Sequence, residues 1–207
     1  MNPKSRALLA AGVLSVLYQN IAAQNLVSNG GFELPGFISP PGYRFLSNGD
    51  STSIQGWVAI DDGVGEQPYL MSRGSYTVYE GNYSLTLNQG SGIRTTVSLQ
   101  AGQQYQLSFL FPVATGNASP LRVDVGGFTT TFTPLATPQT FAFTASSTNP
   151  LASLQFFNPS PVGDFKTEVL DQVVLTAVPE ASAASMLIVG LVGLVGFFRL
   201  QRQRVVG

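Results

Sequence analysis

Apolar and polar residues alternate through the middle of the chain. Leu121-Arg122-Val123-Asp124-Val125 changes face at every position, and Gly126-Gly127 then leads into Phe128-Thr129-Thr130-Thr131-Phe132. Two runs of period two around a glycine pair predict a β-hairpin, because glycine takes the positive φ that tight turns require. Residues 104–111 put Tyr105, Leu107, Phe109 and Phe111 on one face, and 140–144 put Phe141 and Phe143 on one side. Further strands are predicted over 151–157 and 167–176. Between 24 and 178 no sustained period of 3.6 occurs, and Gly, Pro, Asn and Ser interrupt the runs at short intervals. That pattern predicts an all-β, two-sheet sandwich rather than βαβ units. Residues 35–68 differ, being rich in Pro, Gly, Ser and Asp. They are predicted to form long loops at one end of the sandwich, with one strand-like piece at 52–60 around Trp57. Loops of this kind carry function more often than strands do.

Both ends depart from this pattern. Lys4 and Arg6 precede an apolar stretch over 7–17, followed by Ile21-Ala22-Ala23. A positive start, a short apolar core and small residues describe a secretory signal peptide, with cleavage expected after Ala23. At the other end, Val178-Pro179-Glu180 leads into an apolar run over 181–198, then Arg199, Arg202 and Arg204. That run approaches the roughly 20 residues a helix needs to cross a bilayer. Arginines directly after it are expected to stay on the cytoplasmic side. The expected organisation is a signal peptide over 1–23, an exported β-domain over 24–178 and a single C-terminal transmembrane helix at about 183–200 within a tail spanning 179–207. The chain would be held in the inner membrane with its β-domain outside.

Composition narrows the function. With no cysteine and no histidine, the exported domain lacks disulfides and lacks the commonest general base and metal ligand. Ten acidic and five basic residues between 24 and 178 give a net charge of about −5, against −1 for the whole chain. Such a domain has no electrostatic footprint for nucleic acid.

A glycosidase needs two carboxylates facing each other across a cleft. Asp61, Asp62 and Glu66 share one Gly-rich stretch, where adjacent acids are usually solvated turn residues. No nucleophile elbow, phosphate loop or Cys/His cluster is present. The expectation is therefore no enzymatic activity and no catalytic residues. Aromatic residues are the other candidates, because sugar rings stack on them while polar neighbours bond the hydroxyls. Tyr69 beside Asp61, Asp62 or Arg73 would make a glycan platform. Trp57 is expected in the core, and Tyr76, Tyr79 and Tyr83 lie nearby in sequence.

The tail Val178-Pro179-Glu180, apolar helix and arginines resembles the PEP-CTERM sorting signal of exported bacterial proteins, although Ala181 replaces the second proline of the family's box. Several further phrases resemble galactose-binding-like, carbohydrate-binding-module-like jelly rolls of the choice-of-anchor type. They are Asn25-Leu26-Val27-Ser28-Asn29-Gly30-Gly31-Phe32-Glu33, Gly56-Trp57, the run 80–85, the run 101–109 and Leu170-Asp171-Gln172-Val173. These resemblances imply a jelly-roll-type sandwich, an exosortase-type sorting enzyme as partner, and delivery to the cell surface or an extracellular matrix. They also imply exopolysaccharide association of the kind found in biofilms. Relatives of this fold often hold one structural calcium ion, here at Glu33 and Asp171, with Glu80 as a third candidate; otherwise Glu33 caps a turn and Asp171 accepts backbone hydrogen bonds. The alternative to glycan association is a structural or adhesion protein of the matrix with protein partners, and behind it a polysaccharide hydrolase.

Overall fold

The computed structural model describes residues 24–35, 42–73, 78–115, 119–161, 163 and 167–179. The expected signal peptide and its cleavage point at Ala23, the expected membrane helix, Glu180, Arg199, Arg202 and Arg204 lie outside the described residues, as does Tyr76. Among the described residues no helix is long and apolar enough to cross a membrane.

Among the described residues, twelve strands form two sheets. In the first sheet β1 (Tyr43–Phe45), β3 (Tyr69–Ser72), β4 (Tyr83–Leu87), β12 (Thr167–Ala177), β6 (Gln104–Phe111) and β10 (Leu135–Thr144) lie in that order, and β7 (Val113–Thr115) also pairs with β12. In the second, β2 (Val58–Asp61), β5 (Ser91–Leu99), β11 (Asn149–Phe157), β8 (Leu121–Val125) and β9 (Phe128–Phe132) follow one another. The expected hairpin is β8–β9. Val125 pairs with Phe128, and Gly126 and Gly127 close the turn at φ 56° and 91°.

Strand alternation builds the core. Leu107, Phe109, Phe111, Leu170 and Leu175 of the first sheet meet Ile93, Val123, Leu154 and Phe156 of the second, all buried. Burying each such side chain contributes about 1.5–3 kcal/mol, the main force available to a domain without disulfides.

Two features depart from the sequence expectation. The loop-rich region contains β1 as well as β2, and Trp57 stands in a turn before β2 rather than inside a strand. The cause is the indole itself. Its ring packs against Phe32 and Phe156, and its N–H reaches the carbonyls of Ser28 and Asn29 at 3.2 and 3.1 Å. A buried indole needs such an acceptor, so Trp57 plugs the core beneath the N-terminal segment. Its expected core position holds.

That N-terminal segment completes the first sheet. Leu26 N–H donates to the Leu175 carbonyl and Val173 N–H to the Gly30 carbonyl, so residues 25–30 lie along the second half of β12. Only glycine fits at position 30, where a Cβ would come within 1.9 Å of the Val173 carbonyl oxygen. β12 is irregular between Asp171 and Val174, in its pairing with β6, and Gln172 there takes φ 52°. Its first half pairs with β4, its second half with the N-terminal segment.

Candidate functional site

The outer face of the second sheet carries a continuous set of polar side chains. Because inward and outward positions alternate, Ala59, Ile93, Leu154 and Val123 point to the core while Val58, Arg94, Gln155 and Asp124 point out. Register then lines these up across the sheet, since Val58 pairs with Arg94, Arg94 with Gln155, Gln155 with Asp124 and Asp124 with Thr129. Strands sit about 4.8 Å apart, so the polar part of this row, from Arg94 to Thr129, runs roughly 14 Å, the length of an oligosaccharide rather than of one sugar.

A second row lies beside it. Ile60 pairs with Gly92, Gly92 with Phe157 and Phe157 with Arg122. The Arg122 guanidinium sits 5.0 Å from the centre of the Phe157 ring and bonds Asp124 through Nε at 3.0 Å. Thr129 completes the network by donating to Asp124 at 2.6 Å. Gly92 gives the aromatic ring its room: a Cβ there would meet the Phe156 carbonyl oxygen at 2.2 Å and the Phe157 ring at 3.0 Å. An open pocket of about 340 Å³ adjoins Arg94, with Val58, Thr96 and Ser153 in its wall. The face thus offers planar donors and acceptors beside one half-buried ring, a surface suited to hydroxyl groups carried on an apolar ring face. Sequence reasoning missed it. The alternation was visible, yet which strands neighbour one another was not.

The residues expected to form the glycan platform are not brought together. Asp61 and Asp62 close their own loop: Asp61 accepts the Gly63 N–H at 2.9 Å, and Asp62 accepts those of Val64 and Gly65 at 3.0 and 2.7 Å. The bonds from Val64 and Gly65 hold the Asp62 carboxyl below its ordinary range. Tyr69 stands on the outer face of the first sheet, in an aromatic trio with Tyr43 and Phe45, whose centroids lie 5.9 and 5.6 Å from its own. Tyr43 and Phe45 are about half exposed. Arg73, just past the far end of β3, donates from Nε to the Gly81 carbonyl at 2.7 Å.

Glu33 and Asp171, the expected calcium ligands, grip the same loop. Glu33 Oε1 accepts the N–H groups of Asn82 and Tyr83 at 2.8 and 3.0 Å. Asp171 Oδ2 accepts the Ser84 hydroxyl at 2.7 Å and the Glu80 N–H at 3.2 Å, and Oδ1 accepts the Gln172 N–H at 2.8 Å. Asp171 is fully buried, and burial raises its pKa to about 6 against the opposing bonds from Ser84, Gln172 and Glu80. Both carboxylates are hard oxygen donors of the kind calcium takes. Asp171 Oδ1 lies 4.0 Å from where a Gly31 Cβ would stand, and Glu33 Cγ 3.8 Å, so the two side chains flank one glycine. In this arrangement Glu33 caps the 80–84 loop and Asp171 accepts backbone and hydroxyl hydrogen bonds, and among the described residues no group of three acidic side chains converges as a metal site.

No family model and no curated protein matches the chain. Among solved structures, one of an arabinose-bound MgGH51 α-L-arabinofuranosidase aligns with a TM-score of 0.51 and 13% identity, over 74% of this chain and 26% of that one. The chain shares its β-sandwich fold with a part of that enzyme. A CBM4 structure aligns over 73% of this chain and 99% of its own at TM-score 0.48 and 18% identity. The N-terminal cellulose-binding domain of Cellulomonas fimi β-1,4-glucanase C does so over 76% and 99% at TM-score 0.40 and 20% identity.

Proposed function

We propose that this chain is an exported, non-catalytic glycan-binding protein whose binding surface is the outer face of the five-stranded sheet. The observation that carries the reading is the register that aligns Arg94, Gln155 and Asp124 across three strands beside Phe157. Donors, acceptors and a ring repeat there at strand spacing along one open surface. A non-catalytic role is supported by the acids of the 61–66 loop, since Asp61 and Asp62 hold their own turn. Export, anchoring in the inner membrane, sorting by an exosortase-type enzyme and delivery to the cell surface or an exopolysaccharide matrix rest on the two terminal segments. One structural calcium ion at Glu33 and Asp171 would tie the N-terminal segment to β12 and the 80–84 loop.

Affinity electrophoresis of the full chain in detergent, through gels containing the host's exopolysaccharide, tests the binding surface. Retardation that falls in Gln155→Ala and Arg94→Ala variants of unchanged melting temperature supports it; equal migration of wild type with and without polysaccharide rejects it.

A second reading has its own observation. Tyr43 and Phe45, each about half exposed, and the partly buried Tyr69 sit at the edge of the first sheet, on β1 and β3. Exposed apolar edge strands favour association with other chains, so a matrix protein with protein partners would use this edge. Concentration-dependent self-association lost in a Tyr43→Ser, Phe45→Ser variant, together with no polysaccharide retardation, would favour it.

A further inference from the structure

On the outer face of the other sheet, an open pocket of about 330 Å³ lies across β12 and β6. The N-terminal segment and the 80–84 loop bound it on one side and Pro138 of β10 on the other. Four polar residues line it, Asn25, Glu80, Ser108 and Gln172, and the Asn25 amide is already engaged, its Oδ1 accepting the Val27 and Leu175 N–H groups. Each belongs to a different element, and the irregular turn of β12 at Gln172, with φ 52°, brings that residue to the pocket wall. Val174 and Pro138 supply apolar wall. Gly31 adds no side chain, although a Cβ there would meet only ordinary contacts, so the opening at this corner is not forced by packing.

The charge of the pocket is one-sided. Glu80 is exposed, Asp171 lies directly behind Gly31, and among the described residues no Arg or Lys lines the pocket. A carboxylate beside an amide, a hydroxyl and apolar wall complements a protonated amine carried on a hydroxylated ring. It does not complement an acidic sugar, which would face Glu80 and a domain with ten acids to five bases. We propose that this pocket is a second glycan subsite, selective for an amino sugar with a free amine, in which Glu80 pairs with the ammonium and Ser108 and Gln172 bond the ring hydroxyls. The choice of a sugar as the carrier of that amine rests on the glycan-binding reading; the site and its charge selectivity rest on the pocket alone.

The test is calorimetry of the full chain in detergent with three tetrasaccharides of one linkage: β-1,4-linked glucosamine, its fully N-acetylated form and glucose. The glucosamine tetramer is expected to bind at least tenfold more tightly than the N-acetylated one. Glu80→Gln should abolish that preference, while Glu66→Gln, which removes a carboxylate elsewhere, should keep it. Equal affinity for the amine and its acetylated form overturns the proposal, as does a preference that survives in Glu80→Gln. A preference lost in Arg94→Ala and Gln155→Ala but kept in Glu80→Gln overturns it too, and assigns the amine to the five-stranded face, leaving the proposed function standing. Binding of none of the three overturns the proposal, and the proposed function is then decided by the host's exopolysaccharide in the gel assay.

Discussion

The Asp171 carboxylate accepts the Ser84 hydroxyl at 2.7 Å inside the protein, with no cation paired to it among the described residues. This bond ties the closing strand β12 to the start of β4, where Glu33 grips the same loop from the opening segment.

Burial raises the pKa of Asp171 from 3.8 to about 6. Its folded-state value exceeds the unfolded one, so its contribution is fully present below pH 4 and lost as pH rises through 6. Two pH units correspond to about 3 kcal/mol. In chelator, stability is expected to fall between pH 4 and 6.5, and Asp171→Asn should flatten that limb in a series of urea melts. Asp50 acts in the opposite sense. Partial burial pushes it up, but the Ser53 hydroxyl and the Thr52 and Ser53 N–H groups outweigh this and lower it to about 2. Its contribution is present above pH 4 and lost as pH falls toward 2, and Asp50→Asn should remove it.

Calcium at Glu33 and Asp171 would stabilise the folded state by mass action. At a concentration one hundred times the dissociation constant the gain is about 2.7 kcal/mol, or roughly 5–10 °C in melting temperature for a domain of this size. Chelator should reverse that shift, and Glu33→Gln should lose it. A melting temperature indifferent to chelator at pH 7.5 would remove calcium from the account.

Trp57→Phe keeps most of the ring volume yet leaves the Ser28 and Asn29 carbonyls without their indole donor. An expected loss of about 1–3 kcal/mol follows from unsatisfied buried acceptors, and Trp57→Ala should cost about 3–5 kcal/mol through the cavity. Denaturant titration distinguishes the two.

Asp124→Ala releases Arg122 from its partner on the sheet face. Because both side chains are partly exposed, stability should change by less than about 1 kcal/mol. Glycan affinity should fall several-fold, since Arg122 loses its fixed position over Phe157. Unchanged affinity would exclude this corner from the binding surface.

Gly92→Ala tests the same surface by shape. Its Cβ would collide with the Phe156 carbonyl at 2.2 Å and crowd the Phe157 ring at 3.0 Å. Both stability and polysaccharide retardation should drop, whereas Gly102→Ala, where a Cβ meets nothing within 4 Å but φ is 78°, should cost stability alone.

The chain's own pattern determined the sheet content, the β8–β9 hairpin and the inward set of Leu, Val and Phe, because side-chain alternation and glycine turns are local properties. It also marked Glu33 and Asp171, which meet at one loop, and Trp57, which fills the core. Position along the chain did not reveal which strands are neighbours. Only the tertiary structure placed Tyr69 against Tyr43 and Phe45, tied Arg73 to the Gly81 carbonyl and turned Asp61 and Asp62 onto their own backbone. Only it set Arg94, Gln155 and Asp124 in one row, because a row across a sheet is made by the pairing of distant strands. The same holds for the pocket of Glu80, Gln172 and Ser108, which exists because an irregular β12 passes from one neighbour to the next.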